Sequence, residues 1–161
     1  MIGTLSTCVE GVRWARPDNI HLTLKFLGNV DEARLSSATT ALTNVGQDSG
    51  SLDLSIGALG GFPKRDRAQI VWVGLEGDIA GLNQLQRSVE KAMETTGFPP
   101  EKRAFKTHLT LGRVRFGAVR LPDLNPETGG GFTVSEIKLM RSDLSPGGAR
   151  YTCLASIDLK S

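Results

Sequence analysis

Histidine, cysteine and tyrosine are nearly absent from this chain of 161 residues, which holds two, two and one of them. Cys8 and Cys153 have no metal-ligand spacing and give no disulfide framework, so they are expected to be buried or idle thiols, with a disulfide as the lesser alternative. No apolar run approaches the ~20 residues of a membrane span. The segment "MIGTLSTCVEG" lacks the basic and long apolar regions of a signal peptide, and a cytoplasmic protein is the expectation. A G-x-S-x-G elbow is missing, and so are a P-loop and a dinucleotide fingerprint. These absences remove the usual signatures of serine hydrolases, nucleotide triphosphatases and nicotinamide enzymes. A large excess of one charge is missing too: 19 Lys and Arg stand against 17 Asp and Glu, and the net charge of +2 implies no partner by itself.

What the chain does contain is one tetrapeptide twice. Its two histidines, His21 and His108, both open the sequence HLTL. The second copy lies in a basic stretch, Glu101 to Arg120, where Lys102, Arg103, Lys106, Arg113, Arg115 and Arg120 face one acid, Glu101. "FPKRDR" adds Lys64, Arg65 and Arg67. Basic neighbourhoods attract phosphates, although an isolated charge cluster is more often a solvated face.

Ile20, Leu22, Leu24 and Phe26 alternate with His21, Thr23 and Lys25, which predicts a strand with an anchoring face and a working face. "AFKTHLTLGRV" is predicted as the strand of the second copy. "DEARLSSATTALTNVG" reads as a helix, capped by Asp31 and closed by Gly46, with Leu35, Ala38, Leu42 and Val45 as its stripe. A second helix is predicted in "DIAGLNQLQRSVEKAMETTG", with Ile79, Leu82, Leu85, Val89 and Met93 inward. "LDLSIG" and "QIVWVGL" read as strands around a Gly/Pro-rich turn. "FTVSEIKLMRSDL" and "RYTCLASIDL" read as a hairpin joined by "SPGGA", and residues 116–131 as mostly loop. The order suggests a degenerate internal duplication and an α+β fold with antiparallel sheets.

Residues two apart on a strand point the same way, roughly 7 Å along the chain. His21 and Thr23 therefore share a face, as do His108 and Thr110. Two imidazoles and two hydroxyls suit phosphoester chemistry without a metal. With an unperturbed pKa of about 6.5, one imidazole takes a proton from the attacking oxygen while another gives one to the leaving oxygen. The hydroxyls hydrogen-bond non-bridging oxygens, and arginines offset their charge. A lone HxTx is a weak signal, but two copies consume every histidine. A zinc site lacks a third ligand with sensible spacing.

This pattern resembles the two-histidine (2H) phosphoesterase superfamily, and within it the RNA 2′,3′-cyclic phosphodiesterases, also called 2′-5′ RNA ligases. The resemblance is carried by "VRWARPDNIHLTLKFLGNV", "GGFPKRDRAQIVWVGL", "FKTHLTLGRVR" and "IKLMRSDLSPGGARY". It implies a bilobal α+β fold over residues 1–161, with two antiparallel sheets facing a central cleft, helices outside and one HxTx motif on each lobe. The family's N-terminal strand and helix are expected to be missing or shortened. It implies hydrolysis of 2′,3′-cyclic phosphate ends of RNA or nucleotides to 2′-phosphates, with no cofactor, no metal and no obligate protein partner. Carried over, His21 and His108 are the catalytic pair, Thr23 and Thr110 hold the phosphate, and Arg113 contacts it. His108 is assigned the base and His21 the acid, although the motifs are symmetric. Strict alternation puts Arg113 on the face opposite His108, unless a bulge at Gly112 re-aims it. Phe62 and Trp72 are either base-stacking or core residues. Two alternatives stay open: a non-catalytic RNA-end or nucleotide-binding module, and a related enzyme acting on 2′-5′ oligonucleotides or ADP-ribose cyclic phosphate.

Overall fold

The computed structural model describes residues 2–123, 130–145 and 148–160. The chain divides into two interleaved units. The first takes Met1–Leu22, Leu54–Gly77 and Lys106–Phe132, and the second Thr23–Asp53, Asp78–Phe105 and Thr133–Ser161. The class is the expected α+β.

Period-two sequence builds a five-stranded sheet. Its strands are β1 (Val12–Trp14), β2 (Leu52–Phe62), β3 (Ile70–Gly77), β4 (His108–Val114) and β5 (Phe132–Val134), in the order β1-β4-β3-β2-β5. The ladders of β4 with β1, β3 with β4 and β2 with β3 are antiparallel. Val71, Val73, Leu59 and Leu111 form one buried cluster of the first unit with Leu5, Val9, Ala68 and Leu121. Leu5 belongs to a helix the sequence reading missed, α1 (Ile2–Cys8). This helix and β1 both precede the first HLTL segment, and both are short. The helix signal was there: Ile2, Leu5 and Val9 recur at helical spacing, and all three belong to or pack against that cluster.

In the second unit, α2 (Glu32–Asp48) and α3 (Ile79–Thr95) pack on one another. α2 also packs on the hairpin of β6 (Glu136–Ser145) and β7 (Gly148–Asp158). Both apolar stripes are inward: Ala38, Leu42 and Val45 from α2, and Leu82, Leu85, Val89 and Met93 from α3, are buried. Asp78 caps α3, its Oδ1 accepting the Gly81 N–H at 2.8 Å. Asp31 holds the N-cap position of α2 without a side-chain bond. Gly46 does not close that helix. It lies inside it where β7 comes close, and a Cβ there would stand 2.5 Å from Ile157 Cγ2.

Other expectations change. β2 runs on to Phe62, through most of the expected turn. "FTVSEIKLMRSDL" is two strands, because β5 joins the five-stranded sheet while β6 pairs with β7. The turn residues 146–147, and residues 124–129 of the expected loop, lie outside the described residues. Cys8 and Cys153 are exposed free thiols rather than buried ones.

The largest departure is at the first HLTL. The segment from Ile20 to Asp31 belongs to no strand among the described residues. Alternation alone does not make a strand; a ladder partner does. Without one, the predicted faces do not hold. Phe26, assigned to the core, is 81% exposed. Lys25, assigned to the working face, is the enclosed residue, with its side chain 2% exposed against Glu90.

Candidate active site

Partners across an antiparallel ladder point to the same side of the sheet. Gly74 pairs with His108, Trp72 with Thr110 and Gly60 with Trp72. His108, Thr110, Trp72 and Phe62 thus occupy the face opposite Val71 and Val73. The His108 ring meets Phe62 edge-on at 5.1 Å and Trp72 at 6.0 Å between centroids. Lys106 Nζ stands 5.2 Å from the Phe62 centroid. The two aromatics are therefore neighbours of the imidazole rather than core filling. The Trp72 indole lies over Gly60, where a Cβ would fall 2.2 Å from the ring. Gly60→Ala is expected to push the indole off His108 and to cost about 1–3 kcal/mol of stability through overpacking. Urea unfolding and near-ultraviolet circular dichroism check it; an unchanged tryptophan signal would contradict it.

His108 Nδ1 lies 2.7 Å from the carbonyl oxygen of Lys106, two residues earlier. A carbonyl only accepts, so Nδ1 carries the proton and Nε2 is the ring's acid–base position. His21 repeats this construction. It follows a 3-10 turn at Pro17–Asn19, and its Nδ1 lies 2.8 Å from the carbonyl of Asn19, again two residues earlier. Ile20, just before it, packs against the core cluster of the first unit, and the His21 ring is exposed. Both tautomers are therefore set by backbone, in the same way in both copies.

The ladder also decides Arg113. Between Val71 and Trp72 the β3–β4 register shifts, so that Leu111 is an extra residue on β4. Arg113 then pairs with Ile70, whose position has the parity of Trp72 and Gly74. The bulge thus turns Arg113 to the face of His108 and Thr110, and it lies at Leu111 rather than at Gly112.

The structure brings His108, Thr110 and Arg113 onto one face. His21 belongs to the same unit, while the unit boundary passes between Leu22 and Thr23 and assigns Thr23 to the other. Lys106 and Arg13 belong to the same face and went unrecognised in the sequence. Lys106 is two residues before His108, a spacing that already marked it; Arg13 becomes legible only through its pairing with Arg113. Two of the three "FPKRDR" cations are engaged locally. Lys64 pairs with Asp66 at 3.6 Å, and Arg65 reaches the Pro122 carbonyl at 2.8 Å and Asp123 at 3.4 Å. Asp66 is held below the ordinary carboxylate range, first by a backbone hydrogen bond and then by Lys64. Among the described residues no three or more His, Cys, Asp or Glu side chains gather as a metal site, and no helix is long and apolar enough to cross a membrane.

The family model described as LigT-like phosphoesterase matches this chain twice in succession, over residues 4–72 and 73–151. The chain belongs to the LigT-like phosphoesterase family. Each match of the LigT-like model contains one HLTL segment, in keeping with the internal duplication read from the sequence. The RNA 2′,3′-cyclic phosphodiesterase of Methanothermobacter thermautotrophicus is 34% identical over 155 residues, covering 92% of this chain and 83% of that one. The protein of the same name from Aeropyrum pernix is 34% identical over 151 residues, covering 89% and 84%. Among solved structures, Escherichia coli LigT complexed with 3′-AMP superposes with a TM-score of 0.80 at 26% identity, covering 94% and 83%. A Thermus thermophilus protein reaches 0.86 at 25% identity, covering 97% and 86%.

Proposed function

We propose that this phosphoesterase hydrolyses 2′,3′-cyclic phosphate ends of RNA or nucleotides to 2′-phosphates by acid–base catalysis, with no step through a metal. The observation that carries the reading is the repeated imidazole geometry. Both Nδ1 atoms are tied to the carbonyl two residues back, which dedicates both Nε2 atoms to proton transfer. Water attacks phosphorus and loses its proton to Nε2 of His108. The bond from phosphorus to the 3′-oxygen breaks, its electron pair stays on that oxygen, and Nε2 of protonated His21 supplies the proton. The products are a 2′-phosphomonoester and a 3′-hydroxyl. The two histidines exchange protonation states and are reset by solvent. Thr23 and Thr110 donate hydrogen bonds to the non-bridging oxygens, and Arg113 offsets the charge that grows on them.

The relatives named RNA 2′,3′-cyclic phosphodiesterases support this substrate class. The test is turnover of a 2′,3′-cyclic nucleotide and of a cyclic-phosphate-ended oligonucleotide in EDTA, with products read by phosphorus NMR. Undiminished turnover to the 2′-phosphate is expected. Loss of activity in chelator, restored by a divalent ion, contradicts the metal-free route. A 3′-phosphate product contradicts the assigned leaving oxygen. Binding without turnover leaves the RNA-end binding module as the reading.

A further inference from the structure

We propose that Lys106 is a phosphate-binding residue of this site: its ammonium rests on the Phe62 ring beside His108 and moves from there onto a non-bridging oxygen of the cyclic phosphate. This deepens the reading that His108 works on that phosphate, and rests on it.

Lys106 reaches the surroundings of the imidazole in two ways. Its carbonyl accepts from Nδ1 of His108 at 2.7 Å, so its backbone is fixed beside the ring. Its ammonium stands 5.2 Å from the Phe62 centroid, and the His108 ring centroid stands 5.1 Å from the same point. One aromatic ring therefore borders both the imidazole and the cation. Trp72 packs on that ring at 5.1 Å, tilted by 34°.

The fold does not use the charge of this ammonium. Lys106 is exposed and makes no ion pair among the described residues. The sequence from Lys102 to Arg120 contains no carboxylate. Glu76 shares the face of His108 by ladder parity, two residues past Gly74. Its side chain lies over Gly57 of β2, where a Cβ would stand 3.0 Å from Glu76 Cγ and 3.1 Å from its Oε1. β2 flanks β3 on the side away from β4, so this carboxylate leans away from the strand that Lys106 leads into.

A cation on an aromatic face at an exposed site is held weakly, more weakly than by a charge-assisted hydrogen bond to a phosphate oxygen. An anion in front of His108 therefore takes the ammonium from the ring. Until then the ring keeps a long side chain in place, so less freedom is lost when the phosphate arrives. Lys106 precedes His108 in the chain and Arg113 follows it, so a mobile point charge and a planar fork leave the chain on opposite sides of the imidazole.

The experiment reads phosphate binding and turnover in the same proteins. Inorganic phosphate is titrated by calorimetry, and a 2′,3′-cyclic mononucleotide is the substrate. Lys106→Gln is expected to weaken phosphate about ten- to hundredfold and to lower kcat/KM by a similar factor, the usual worth of a hydrogen bond to a charged group. Lys106→Arg should recover part of both losses, and Arg87→Gln, which removes a charge from α3, should change neither. Phe62→Leu should weaken phosphate as well. Adding Lys106→Gln to it should cost less than the same change in wild type, because both act through one contact. The nitrogen NMR signals of His108 should keep the Nδ1-protonated tautomer in Lys106→Gln, since the carbonyl that sets it is backbone. An unchanged phosphate affinity in Lys106→Gln overturns the proposal whatever happens to turnover. So does a changed tautomer, because Lys106 then acts through the imidazole. Strict additivity with Phe62→Leu overturns the resting place on the ring. If wild type binds phosphate through Lys106 but turns over no cyclic phosphate, the reaction falls and the lysine seat stands. If wild type turns it over and Lys106→Gln binds phosphate as wild type does, the seat falls and the reaction stands.

Discussion

His108→Ala is expected to lower kcat/KM on a 2′,3′-cyclic nucleotide by about 10²–10⁴-fold, the usual worth of a positioned proton-transfer group. The His108 ring is edge-packed on Phe62, so its removal also costs a contact worth about 0.5–1.5 kcal/mol. That loss is too small to unfold the chain, so the activity deficit is chemical. His21→Ala should produce a deficit of the same order with less effect on stability, because its ring is exposed. The two variants also assign the roles by pH. A base must be deprotonated to work, so the proposed base role of His108 predicts a fall in rate at low pH. An acid must be protonated, so the proposed acid role of His21 predicts a fall at high pH. The wild-type profile is thus expected to be a bell. Residual activity of His108→Ala should lose the acidic limb, and that of His21→Ala the alkaline limb. The double variant should be scarcely worse than either single one, because groups acting in one transition state are not additive. A double variant that shows the full product of the two single losses would sink the paired mechanism, and swapped limbs would exchange the two roles.

The face that carries His108 and Thr110 was legible because its strand behaves as a strand. Alternation separates His108 and Thr110 from Leu109 and Leu111, and the ladders with β1 and β3 enforce that separation. The same tetrapeptide at His21 reads identically and folds differently. Alternation is a property of a segment, whereas a strand is a property of a pair, and residues 20–31 join no strand among the described residues. What the structure has there is local: the Pro17–Asn19 turn, and the imidazole bonded to the carbonyl two residues back. Arg113 shows the converse. Counting from His108 gives the wrong face, and only the register against β3, contributed by residues about forty positions earlier in the chain, reveals the extra residue at Leu111. The short strand in "VRWARPDN" was readable and is β1, but three residues have no readable period, so the face of Arg13 was not. Both long helices were legible from their stripes. The exit of α2 was not, because Gly46 answers to the close approach of Ile157 and not to a helix end.

Lys25→Met is expected to cost about 3 kcal/mol in urea unfolding, toward the lower end of the range for breaking a buried ion pair. In place of a ladder, the segment beginning at Thr23 has this side chain as an anchor. Lys25 Nζ donates to Glu90 Oε1 and, at 2.9 Å, to the Pro99 carbonyl. The same Glu90 oxygen accepts the Glu101 N–H at 2.7 Å. One lysine thus ties the end of the first HLTL stretch to α3 and to the Pro99–Glu101 turn. The Lys25 side chain is 2% exposed and that of Glu90 19%, so water replaces little of what the lysine supplies. Glu90 Oε2 already has no partner among the described residues. Without the lysine, the carboxylate keeps only the Glu101 N–H, and the stranded charge is the main cost. The double variant Lys25→Met/Glu90→Gln should therefore regain most of the loss, since a neutral amide keeps an acceptor for Glu101 and strands no charge. A single variant as stable as wild type, or a double variant less stable than the single, would show that the pair does not hold this segment. Activity should follow stability: at a temperature where both variants are folded, Lys25→Met is expected to lower kcat/KM and the double variant to restore part of it. Lys25 touches no reacting atom in this scheme, so the drop reports looser placement of the chain that begins with His21 and Thr23.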